Sequence, residues 1–233
     1  LRDNLPSFVV LPDAKGLPYN QRGCFSSGFL PAVHQGTVIN AASPQPVPDL
    51  FPRGNYKFAT RDSDAAGLRL LDKINREHAS ERAGDSRLDA RISSYELAAK
   101  MQVSAPDAFD VMREPEYVRK AYGLDDAVTE DFGRRCLLAT RLIERGVRFI
   151  QLFLGGQPWD NHSSIRTALP GVCKRVDQPA AALVTDLKQR GMLDSTIVHW
   201  GGEIGRLPVT QVMGEPAAAG RDAEITETRL LEM

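Results

Sequence analysis

The stretch Val176–Pro208, VDQPAAALVTDLKQRGMLDSTIVHWGGEIGRLP, holds a helix pattern, a turn, a strand pattern and a polar loop in succession, and its reading decides the fold class. Val176, Ala180, Leu183, Val184 and Leu187 fall at i, i+4, i+7, i+8 and i+11, the one-sided stripe of a helix packed on a sheet. Asp177 is placed to accept N–H groups at the start of that helix, and Pro179 suits its first turn. Lys188, Arg190 and Gly191 supply the cations and the left-handed residue of an ending. Thr196-Ile197-Val198-His199-Trp200 is β-branched and apolar without clean alternation, which predicts a strand covered on both faces in a parallel sheet. The pattern stops at Gly201-Gly202, so Glu203 and Arg206 are expected at the carboxyl edge of the sheet, where ligands gather in such folds.

Upstream the same grammar recurs. Phe132, Cys136, Ala139 and Ile143 repeat at i, i+4, i+7 and i+11 and predict a helix ending at Gly146, followed by a strand over Val147–Leu154 and a Gly155-Gly156 turn. Two successive helix–strand units predict a parallel sheet with right-handed crossovers. The start of the chain, Leu5–Leu11, reads as a further internal strand. Because it begins without Met or a signal sequence, the chain is expected to be a fragment.

Between these units, Pro12–Pro52 is rich in Gly, Pro, Ser and Asn and reads as a long irregular excursion, pinned by Phe25, Phe29, Leu30 and Phe51. Helices are predicted over Ala65–Arg82 and Asp85–Val103, with short ones restarting at Pro106 and Pro115, so that residues 61–123 form a helical flank. His34 reads as a hydrogen-bonded surface or packing residue, His78 as part of a solvated helix face, and His199 as a histidine packed in the core.

With 42% hydrophobic and 25% charged residues over 233, the chain can bury one sizeable core. A net charge of −1 with Lys and Arg scattered among Asp and Glu argues against a nucleic-acid partner. No apolar run approaches the roughly 20 residues that cross a bilayer. The three cysteines, Cys24, Cys136 and Cys173, lie far apart with no C-x-x-C, which argues against a disulfide framework or a zinc knuckle.

Two polar tips remain, Trp159-Asp160-Asn161-His162 and Gly202-Glu203-Ile204-Gly205-Arg206. Asp160, His162 and Glu203 would suit a hard divalent cation, and Arg206 would hold an anionic oxygen bidentately. The same residues also fit a structural reading, with Asp160, Asn161 and Ser163 as turn and N-cap residues of a helix beginning near Ser164, and Glu203 paired with Arg206.

Several stretches resemble a bacterial family of uncharacterised sulfatase-like proteins in the alkaline phosphatase superfamily. They are Asn4-Leu5-Pro6-Ser7-Phe8-Val9, Gly28-Phe29-Leu30-Pro31-Ala32 with Gln35-Gly36, and Tyr95-Glu96-Leu97-Ala98 with Met101-Gln102. Further along come Arg141–Phe149, Trp159-Asp160-Asn161-His162, and Asp186–Gly191 through Gly202–Pro208. The resemblance implies an α/β fold, a parallel-sheet three-layer sandwich of alkaline-phosphatase-like type, incomplete at both ends. It implies that Asp160 and His162 occupy one metal-ligand loop and Glu203 another, around a divalent ion such as Ca, Mn or Zn. That ion would act as a Lewis acid on a sulfate or phosphate ester, with Arg206 balancing charge.

The departures are equally definite. The Cys/Ser-x-Pro-x-Arg sequence that yields a formylglycine nucleophile is absent, and Gly220-Arg221-Asp222 is followed by Ala223 where relatives carry His. Residues 1–211 are therefore expected to form a partial α/β domain and 212–233 an unrelated or disordered tail. The fragment is expected to show little hydrolysis, because no nucleophile is present in it. The family suggests an exported or periplasmic protein acting on a small anionic ester or a sulfated polymer. A non-catalytic relative that binds anionic polymers or serves in an assembly is the alternative.

Overall fold

The structure, a computed structural model, describes residues 4–48, 50, 60–82, 84–161 and 164–201. The chain divides into two compact units, Leu1–Ile197 and Val198–Met233, and every helix and strand described here belongs to the first. Phe8–Leu11 (β1) is the central strand of a three-stranded sheet, with Thr37–Val38 (β2) on one side and Phe149–Leu152 (β3) on the other. Both pairings are parallel, with Val10 opposite Val38 and opposite Gln151. The described residues thus form a mixed α/β fold with a small parallel sheet and a helical flank.

Alternation along the strands sends Val9, Leu11, Ile150 and Leu152 into the core. There they meet Glu130–Glu144 (α4), whose Phe132, Cys136, Leu137, Leu138, Ala139 and Leu142 are all buried. Ile165–Gln189 (α5) packs along α4 and adds Val176, Ala182 and Leu183 to that core. The opposite face of the sheet carries Phe8 and Phe149, whose rings meet edge to face at 5.0 Å, with the backbone of Gly36 lying over Val10 and Phe8. Phe149 is 53% exposed, so the helices on both faces that define a three-layer sandwich are not displayed by the described residues.

The flank contains Arg61–Ser80 (α1), Ser86–Phe109 (α2) and Glu116–Ala121 (α3). α1 opens with a capping box between Thr60 and Ser63, and α2 opens on Asp85, whose carboxylate accepts the N–H of Arg87. Gly133 lets α4 pass close to the end of α3, because a Cβ there would sit 2.0 Å from the carbonyl oxygen of Tyr122.

A buried ionic network fastens the flank to the sheet layer. Arg141 on α4 donates to the carbonyls of Ala108 and Asp107 at the end of α2 and pairs with Glu114. Glu114 also meets Arg190, which in turn holds Asp186 and Glu144. The Tyr122 hydroxyl donates to Asp186 at 2.9 Å and shares a hydrogen bond with Thr140. Four helices are thereby joined through charges that are largely removed from water.

The fold departs from the sequence expectations at several places. Thr196–Trp200 forms no strand, and Ile197 is 95% and Trp200 62% exposed. A β-branched run favours a pleated surface only where a neighbouring strand supplies the ladder, and among the described residues none lies beyond β3. His199 is accordingly exposed rather than packed in a core. The last helix starts at Ile165, not near Asp177, and runs through Pro170 and Pro179. Its apolar stripe extends upstream through the half-buried Leu169 and Val172, and Pro179 is buried within it, so tertiary contact outweighs the lost N–H. α2 likewise continues through Pro106 to Phe109, where Arg141 secures its last carbonyls. Phe25 is buried as expected, but Phe29 is 98% and Leu30 49% exposed, while Phe51 lies outside the described residues.

Arg141→Met should lower the unfolding free energy by about 3 kcal/mol, because it removes the donor of the Ala108 and Asp107 carbonyls and one of the partners of Glu114. Urea denaturation followed by circular dichroism measures it. A loss below about 0.5 kcal/mol would mean that the network does not hold the flank in place.

Candidate functional site

In a parallel sheet the carboxyl ends of the strands open onto the loops where ligands are usually met. Here β1 runs out into Pro12-Asp13-Ala14-Lys15-Gly16 and β3 into Gly155–Asn161, and a parallel bridge between Pro18 and Gly156 keeps the two loops side by side.

Asp13 is 4% exposed and accepts three hydrogen bonds. One oxygen accepts the Lys15 N–H at 2.9 Å, closing a tight turn that Gly16 completes with φ at +129°. The other accepts the Gly155 N–H at 3.0 Å and the Arg175 guanidinium at 2.8 Å, with Arg135 at 3.7 Å. Burial pushes the Asp13 carboxyl up, but the two N–H groups and the two guanidiniums outweigh it, so the group lies below its ordinary value of 3.8.

Arg135 is itself 1% exposed and reaches from α4 to the carbonyls of Leu11, the last residue of β1, and Phe153, the first residue after β3, while Asp131 pairs with it at 2.6 Å. Arg175 comes from α5 and keeps a quarter of its side chain exposed. Neither arginine nor Asp13 was singled out from the sequence. Asp13 follows a strand by one proline, so the strand-end rule could have found it. Arg135 and Arg175 sit inside helical stripes that read as packing.

Of the residues expected to hold a metal, Asp160 lies in the loop after β3 and is exposed, its N–H donating to the Gln157 carbonyl at 3.2 Å. His162, Glu203 and Arg206 lie outside the described residues, as does Ser163. Among the described residues no three His, Cys, Asp or Glu side chains are grouped to hold a metal ion. Asp13 uses three of its roughly four lone-pair sites on two N–H groups and Arg175, which leaves at most one for a cation. The Cys136 thiol is pushed up to about 12 by burial and is no nucleophile at neutral pH. Two cavities, of about 320 and 380 Å3, lie elsewhere, one against Val47 and Phe109 and the other between Phe8 and Leu97. No described helix is long and apolar enough to cross a membrane.

Compared with known families, residues 1–226 match the one described as "Protein of unknown function (DUF1501)". This corrects the expected membership of the sulfatase-like family of the alkaline phosphatase superfamily, because the match is to a family of unknown function and nothing in it points to that superfamily. Short shared runs such as Trp159-Asp160-Asn161-His162 carry turn and cap chemistry common to many α/β folds, which limits what they identify. Neither a curated protein nor a solved structure matches the chain.

The lowered Asp13 carboxyl fixes the sign of an acid dependence. Its stabilising contribution is fully present above the unfolded value of about 3.8 and is lost as pH falls through the folded value. Asp13→Asn should therefore lower the neutral-pH stability and flatten the loss of stability below pH 4 relative to the unaltered chain. Urea midpoints measured from pH 7 to pH 2 check this, and parallel acid profiles for the two proteins would contradict it.

Proposed function

The chain belongs to this family of unknown function, and from that premise we propose that the carboxyl edge of its sheet serves metal-dependent hydrolysis of an anionic ester. In this reading Asp160, His162 and Glu203 hold a divalent cation, and Arg206 balances the charge of a sulfate or phosphate group. When bound, such a cation polarises an ester oxygen as a Lewis acid. The residues of this chain bind the ester, orient it against the strand ends and offset its charge. A second helical layer over the Phe8–Phe149 face belongs to the same reading, since parallel sheets are ordinarily covered on both faces.

The observation that supports it is the parallel pairing of β1 with β3, which delivers Asp160 to the edge where α/β folds accept ligands. The fit of a metal rests on Asp160 together with two residues outside the described set, because Asp13 is committed to Arg175 and to backbone N–H groups. The second reading, a non-catalytic binder of anionic polymers, is favoured by one feature: the two guanidiniums that converge on Asp13 at this edge.

Adding Mn2+, Ca2+ or Zn2+ at about tenfold its Kd should stabilise the chain by about 1.4 kcal/mol, and Asp160→Ala should remove most of that gain. Thermal melts with and without EDTA measure it. Melting that ignores every ion, or that shifts equally in the variant, would end the metal reading. Turnover of aryl phosphate or sulfate esters by the metal-loaded protein separates hydrolysis from binding alone.

A further inference from the structure

Arg175 is held differently from the buried cations Arg135 and Arg141. Its Nη2 donates to Asp13 at 2.8 Å, and among the described residues its Nε and Nη1 have no partner. The side chain keeps 25% of its surface while the Asp13 carboxylate behind it keeps 2%. A buried anion thus holds one nitrogen of the guanidinium, and among the described residues the other two are not engaged. Arginine spends much of its rotameric freedom on binding an anion unless something fixes it beforehand, and Asp13 does so here.

A second cation begins in the same place. Lys15 is exposed, its ammonium has no partner among the described residues, and its Cβ lies 3.4 Å from where a Cβ on Gly155 would stand, beside Asp13. The charges of this cluster are Lys15, Arg135 and Arg175 against Asp13 and Asp131, three positive and two negative, which leaves one positive charge. The partners of Arg135, by contrast, are all internal: Asp131, Asp13 and the carbonyls of Leu11 and Phe153. The uncompensated positive charge accordingly belongs to Arg175 and Lys15, the two cations of the cluster that reach solvent.

We infer that Arg175, fixed by Asp13 and assisted by Lys15, is a recognition site for a tetrahedral oxyanion at the carboxyl edge of the sheet. The ligand class is the terminal phosphate or sulfate of an ester. A guanidinium fork matches two oxygens of such a group, and a flexible ammonium adds a point charge to a third. This rests on the reading of that edge as the ligand site, but it needs neither a metal ion nor the residues proposed to hold one.

Inorganic phosphate and inorganic sulfate serve as probes, titrated separately into the chain in EDTA and followed by calorimetry. Saturable binding of one anion per chain is expected. Arg175→Gln should weaken it by at least about tenfold, the loss of one charge-assisted contact. Arg175→Lys should fall between, since it keeps the charge and loses the fork. Lys15→Ala should weaken binding by about threefold, in the range of a partly screened ion pair, and Arg69→Gln on the exposed face of α1 should change nothing. If Arg175→Gln fails to fold by circular dichroism, the exposed Lys15→Ala and the charge-conserving Arg175→Lys carry the comparison. Absence of saturable binding, or equal binding by the unaltered chain, Arg175→Lys and Lys15→Ala, overturns the inference. Binding of both probes, or of either alone, supports it and assigns the ester accordingly. Loss of the metal-dependent melting shift with anion binding intact would remove the metal reading and leave this site standing, and the reverse result would remove this site alone.

Discussion

The arrangement depends on one guanidinium. Arg135 projects from α4 and donates to the carbonyls of Leu11, at the end of β1, and Phe153, just after β3, so one side chain ties both strand ends to the helix. An arginine can be this deeply buried only if its charge is met, and Asp131 one turn away with Asp13 beyond meets it. Asp13 then closes the β1 turn through Lys15, binds the β3 loop through Gly155 and anchors α5 through Arg175. The shape of the carboxyl edge follows from satisfying that chain of buried charges.

α4 therefore works from both ends and on two sides. Toward the sheet it supplies apolar area and Arg135. Toward the flank it supplies Arg141, which clamps the end of α2 and meets the Glu114 and Arg190 pair. The close passage of Gly133 under the Tyr122 carbonyl lets these contacts form without spreading the helices. Two ionic networks, one per side, hold a small sheet that would have little independent stability with three short strands.

At the candidate site, the chemistry that the structure describes is cationic, with Arg175 and Lys15 presented outward from a buried carboxylate. A family of unknown function sets no reaction, so the proposed function rests on the residues themselves. Anion recognition is common to both the hydrolytic and the binding readings.

Local patterning determined much of this protein. The stripe Phe132, Cys136, Ala139 identified α4, Gly146 and Gly191 mark helix ends with φ of +90° and +68°, and Leu5–Leu11 and Val147–Leu154 contained β1 and β3. These signals are short-range, since periodicity and backbone freedom act within a few residues. The tertiary structure decided what depends on distant partners. Whether Thr196–Trp200 becomes a strand depends on a neighbour to pair with, and whether Pro106 and Pro179 end their helices depends on what packs against them. The Asp13, Arg135 and Arg175 cluster joins residues up to 162 positions apart, and no local window contains it. A buried charge is legible only when its counter-charge is known, and that pairing exists only in the folded chain.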